Sequence, residues 1–136
     1  MDTISTGVNI HWQNFTSVKY TGVWCEFWAL ELDEMRQLLR WVYERDLSDD
    51  ELMRVGERAW NLARLFNLRE GVEPDALPRK LYARDAAFTA GPSAGKAIGE
   101  EGFRAALQEY YGLRGWDAGG VPSEAKLSEL GIDMRP

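Results

Sequence analysis

At 136 residues the chain is the size of one domain, and 45% hydrophobic with 12% aromatic residues is the composition of a folded core, not a disordered tail. A formal net charge of −6 repels phosphate backbones, one histidine (His11) excludes a histidine-built zinc site, and one cysteine excludes an internal disulfide. No apolar run reaches the length of a membrane span and no basic-then-apolar leader is present, so the expected compartment is the cytoplasm, with no nucleic-acid or membrane partner.

Residues 1–19, MDTISTGVNIHWQNFTSVK, are polar and mixed with little periodicity, and read as an ordered lead-in that leans on a neighbour. YTGVWCEFW (Tyr20 to Trp28) follows, with four aromatics around the only cysteine. Two roles stay open for Cys25: a small hydrophobe filling core volume, or one ligand of a metal centre completed elsewhere. Leu32, Met35, Leu39 and Val42 have helical spacing between Glu31 and Arg45, with acids at the start and a base at the end.

Ser48 followed by Glu51 forms a capping box, and Leu52, Val55, Ala59, Leu62 and Phe66 continue as one apolar face to about Arg69. Trp60, Ala63 and Leu65 widen that face, which suits a central helix ending at Gly71. Residues 71–99, with Pro74, Pro78, Pro92 and several glycines, form a long connection expected to lie across another surface. Phe103, Ala106, Leu107, Tyr110 and Tyr111 define a further helix closed by Gly112 and Gly115. Ser123 caps a short last one that carries Leu127 and Leu130 and stops at Gly131. The fold class is mainly α, divided into a lead-in (1–30) and a multi-helix domain (31–136).

Three local motifs read as structure. GPSAGK (Gly91 to Lys96) has three residues between its glycines, Ala97 after Lys96 and no preceding strand, so it is not a phosphate loop. Asp46, Asp49, Asp50 and Glu51 could suggest a cation site, but all of them suit a helix start. Met35, Met53 and Met134 show no diagnostic spacing, and Trp60 and Trp116 read as packing anchors. In LREG, Arg69 is placed to bind the last helix carbonyls and Glu70 to serve a neighbouring segment.

Longer strings carry a resemblance. GERAWNLARLFNLREG (Gly56 to Gly71), DALPRKLY (Asp75 to Tyr82), GPSAGK and LQEYYGLRGWDAGGVPSEAKLSELGI (Leu107 to Ile132) closely resemble, in order, the C-terminal part of aldehyde:ferredoxin oxidoreductases. These are tungsten enzymes with a bis-pterin cofactor. The resemblance implies an upstream D-x-x-G-L-C motif whose cysteine is the fourth ligand of a [4Fe–4S] cluster and whose backbone helps hold a pterin. Cys25 then falls on the cluster cysteine, and Gly22, Val23 and Trp24 on the pterin-facing turn. Tyr20 stands where the Asp belongs and Val23 where the Gly belongs, which puts pterin binding in doubt. The family's C-x-x-C-x-x-x-C motif is absent from this chain.

Two functions follow from the resemblance. One is a C-terminal domain or subunit of an oxidoreductase that converts aldehyde and water to carboxylate. Electrons would pass through the cluster to ferredoxin, with tungsten or molybdenum bis-pterin in the complete enzyme and no cofactor expected on this chain alone. The other is a stand-alone, non-catalytic helical module that keeps the family fold, a reading that the altered motif and the opening Met1 favour.

Overall fold

The computed structural model describes residues 3–72 (side chains from residue 6 onward), 75–82, 87–97 and 99–133. These form helices α1 (Thr3–Thr21), α2 (Leu32–Tyr43), α3 (Asp49–Arg69), α4 (Glu100–Arg114) and α5 (Glu124–Leu130), with one 3₁₀ turn at Arg79–Leu81. No strand occurs among the described residues; one isolated bridge joins Trp116 to Pro122. The chain is mainly α, as expected. None of these helices is long and apolar enough to cross a membrane. Pro74 and Met134 lie outside the described residues.

The capping box closes α3 as the sequence requires. Ser48 Oγ accepts from the Glu51 amide at 3.2 Å, and the Glu51 carboxylate accepts from the Ser48 amide at 2.8 Å. Those same bonds hold the Glu51 carboxyl below its usual pKa. At the other end Gly71 turns left-handed, with φ 73°. Arg36 from α2 pairs with Asp46 at 3.6 Å and Asp49 at 3.0 Å, so these acids join helix start to helix neighbour. Arg69 and Glu70 of LREG pair with each other at 3.2 Å, and among the described residues their side chains bond neither helix carbonyls nor another segment.

Residues 3–21, read as an aperiodic lead-in, are a 19-residue helix packed along α3. The periodicity was hidden because its inner face is partly polar: Thr6, Asn14 and Ser17 are buried beside Phe15 and Val18. Ser17 and Thr21 bond back to the carbonyls of Gln13 and Ser17 at 2.7 and 2.8 Å, which satisfies their hydroxyls within the helix. Opposite them is Gly56, where an added Cβ would stand 2.0 Å from the Asn14 carbonyl oxygen. The missing side chain is what lets the two backbones meet.

That contact also rotates the buried face of α3 away from the expected one. Leu52, Gly56, Asn61 and Leu65 are buried, whereas Phe66 is 50% exposed, with the Arg69 guanidinium 5.3 Å from its ring. Phe66 is therefore a surface residue and not part of the core. α2 ends at Tyr43 instead of Arg45, Glu44 turns left-handed at φ 54°, and Val42 is exposed.

Two apolar clusters result. Phe15, Val18, Leu30, Met35 and Leu52 bring α1, α2 and the start of α3 together; Leu65, Leu127, Leu130 and Ile132 seat α5 on the far end of α3. Between them lies a hydrogen-bonded aromatic layer. Trp116 Nε1 donates to Asn61 Oδ1 at 2.8 Å, and Trp60 Nε1 donates to the Tyr110 hydroxyl at 2.9 Å. Part of the long connection reaches this layer: Asp75 accepts from the Tyr111 hydroxyl at 2.6 Å and pairs with Arg64 at 3.0 Å.

Candidate functional site

The loop between α1 and α2 carries Cys25, and its shape is set by α1's last turn. The Gly22 amide donates to the Val18 carbonyl and the Trp24 amide to the Lys19 carbonyl, both at 2.9 Å. Between them Val23 takes a left-handed conformation, with φ 57°, strained for a β-branched residue. The Trp24 ring folds over Gly22, where a Cβ would meet it at 2.9 Å, and packs on the first apolar cluster. The Trp28 amide then donates to the Cys25 carbonyl at 3.2 Å, and the buried Lys19 ammonium donates to the Trp28 carbonyl at 3.1 Å.

The loop is thus pinned at both ends and open at its crest. Cys25 is exposed, Val23 is 91% and Phe27 99% exposed, and Trp28 is largely exposed. The thiol does not fill the core, so that alternative is set aside. Tyr20 donates its hydroxyl to the Glu26 carboxylate; that bond raises its pKa. Of the four residues singled out by sequence, the structure places Gly22, Val23, Trp24 and Cys25 on one turn. Only Val23 and Cys25 point outward, while Trp24 is half-buried. Among the described residues, no group of three or more His, Cys, Asp or Glu side chains could hold a metal ion.

GPSAGK folds as consecutive tight turns. The Ala94 amide donates to the Gly91 carbonyl at 3.0 Å, the Gly95 amide to Phe88 at 2.8 Å, and Gly91 and Gly95 are left-handed. Among the described residues no strand leads into it and no helix begins at Lys96.

A concave feature lies beside this loop that no sequence pattern marks. A cleft of about 1020 Å³ opens between α1 and α4, walled by Trp12, Trp60, Phe103, Leu107 and Tyr110, and Tyr20 connects it to the Cys25 loop. Arg114 lies behind its base, fully buried, donating to Asn14 Oδ1 and Gln13 Oε1 at 2.6 Å each and to the Tyr110 hydroxyl at 3.1 Å. Its only sequence signal was a basic residue in a helix's last turn, which ordinarily points to solvent.

The fold and loop define an all-helical domain that presents one exposed thiol on an aromatic crest. Residues 5–132 match the family described as "Aldehyde ferredoxin oxidoreductase, domains 2 & 3", and the chain belongs to that family. It is 34% identical over 129 residues to the tungsten-containing aldehyde ferredoxin oxidoreductase of Pyrococcus abyssi, covering 91% of this chain and 20% of that protein. The Pyrococcus furiosus enzyme of the same name is 34% identical over 128 residues, with 90% and 20% covered. The Thermococcus kodakarensis enzyme is 34% identical over 107 residues, with 76% and 17% covered. The chain thus spans about a fifth of the length of these relatives.

Proposed function

We propose that the chain acts as a C-terminal domain or subunit of an aldehyde ferredoxin oxidoreductase-like enzyme, contributing Cys25 to a [4Fe–4S] cluster completed by three cysteines from elsewhere. The observation that carries this is the pinned loop with an outward-facing thiol: a fourth ligand must be presented to a group outside the domain. Bound there, a cluster would supply one-electron transfer between the metal cofactor and ferredoxin. The chain's own part is to hold the thiolate still through Lys19 and Trp24, and to exclude water with Val23, Phe27 and Trp28 once another domain covers them.

The same turn fits a pterin less well. The Tyr20 hydroxyl is a donor committed to Glu26, where an acceptor is wanted, and the exposed Val23 side chain holds a ligand off the backbone. These two residues favour a second reading, a non-catalytic module that keeps the fold. In either reading the working compartment is the cytoplasm.

Native-state thiol labelling tests the presentation of Cys25. The account expects reaction within minutes without unfolding, and a chain that binds no stoichiometric iron when reconstituted alone, because one thiolate cannot replace the usual four. Protection of Cys25 until global unfolding, or a brown four-iron chain, would overturn it.

A further inference from the structure

Arg114 is a buried cation with no carboxylate bonded to it among the described residues. Its relative exposure is 0%, and all three of its hydrogen-bond acceptors are neutral oxygens, from Asn14, Gln13 and Tyr110. The Trp60 and Tyr110 rings flank it at 5.3 and 5.5 Å. Among the described residues no carboxylate pairs with it; Glu57, which acts on it through space, is bonded to Lys126 at 3.0 Å. Burying a charge in this way is costly unless something nearby compensates it.

The compensation has an opening to come from. Gln13 and Tyr110, two of the three acceptors, also line the aromatic cleft between α1 and α4. Gln13 Oε1 accepts from both Arg114 Nη2 at 2.6 Å and the Tyr110 hydroxyl at 2.9 Å. It therefore occupies the place that one oxygen of a carboxylate would take, with a cationic and a neutral donor already converged on it. The cleft in front is walled by Trp12, Phe103 and Leu107 and is large enough for a drug-sized ligand. Among the described residues none of those lining the cleft is acidic; Glu109 and Glu26 reach it only through hydrogen bonds from the lining residues Thr6 and Tyr20.

We infer that this cleft binds an elongated apolar carboxylate, whose head displaces the Gln13 side-chain oxygen to pair with Arg114 while its body lies against the aromatic walls. The inference is independent of the role of Cys25, since it uses none of the loop's residues.

Decanoate, kept below its micellar concentration, is the probe; decan-1-ol, with the same chain and a neutral head, is the control. Tryptophan fluorescence reports binding because Trp12 and Trp60 form two of the walls. Decanoate should bind saturably and at least about tenfold more tightly than decanol. Gln13→Glu places a fixed carboxylate on Arg114. It should weaken decanoate at least about tenfold and leave decanol within about twofold, while the thermal midpoint holds or rises. Equal binding of acid and alcohol, an unchanged decanoate affinity in Gln13→Glu, or no saturable binding would overturn the inference. So would a decanoate affinity that falls as protein concentration rises, which would mean that a second copy closes the cleft.

Discussion

Replacing Gly56 by alanine should reverse the usual benefit of removing a helical glycine. In a solvent-facing helix interior the change gains up to about 1 kcal/mol from backbone entropy. At Gly56 the new Cβ would sit 2.0 Å from the Asn14 carbonyl oxygen, 2.8 Å from its carbon and 3.0 Å from Val18 Cγ2. Two of these are backbone atoms, so no side-chain rotation relieves the clash. Reaching ordinary contact requires α1 to move off α3 by over about 1 Å, which also parts Phe15 and Val18 from Leu52. Overpacking of this kind costs about 1–3 kcal/mol, and the fixed backbone on both sides puts this case at or above the top of that range. Net of the helix gain, we expect a loss of about 2 kcal/mol, or roughly 6–10 °C in midpoint for a domain of this size. The internal control is Gly112→Ala in α4, where nothing lies within 4 Å, and which should stabilise by about 0.5–1 kcal/mol. Urea melts of the two variants check both signs. A Gly56→Ala protein as stable as the wild type would refute the close α1–α3 approach on which the fold rests.

Ser48→Ala should cost about 0.5–2 kcal/mol in the same assay by leaving the Glu51 amide uncapped. Phe66→Ala, at a half-exposed site, should cost under about 1 kcal/mol, whereas Met35→Ala, from a fully buried side chain, should cost about 2–5 kcal/mol. Asn61→Leu strands the buried Trp116 indole N–H and should cost about 1–3 kcal/mol. Burial, with Asp75 as the hydrogen-bond acceptor, pushes the Tyr111 hydroxyl up to about 12 from a usual value near 10. Its folded pKa is the higher one, so its contribution is complete below pH 10 and is lost as pH rises from 10 towards 12. Alkaline unfolding curves of wild type and Tyr111→Phe should therefore converge through that window.

What the sequence made legible were the elements with local chemistry. Ser48 with Glu51, Ser123, Gly71, Gly115 and Gly131 mark helix ends by side-chain caps or left-handed glycines, and each does so in the structure. α1 was not legible, because its inward residues are hydroxyls and amides whose partners lie on the same helix or about 100 positions away on α4. For the same reason the apolar spacing puts Phe66 on the wrong side: the buried face of α3 runs through Gly56 and Asn61, which carry no apolar signal. At the candidate site, the upstream motif that the resemblance implies is what draws attention to Cys25, while its exposure and the Lys19 bond beneath its loop required coordinates. The cleft and Arg114 depend on how α1 crosses α4, which no local pattern encodes.

The most direct measurement of the central claim is iron content and low-temperature EPR of the assembled enzyme, purified anaerobically with this chain as wild type and as Cys25→Ser. The account predicts that the substitution removes the [4Fe–4S] signal or converts it to a three-iron or altered-ligand species, with the chain's helical spectrum and melting midpoint unchanged. Equal iron and an identical signal in both proteins would contradict it.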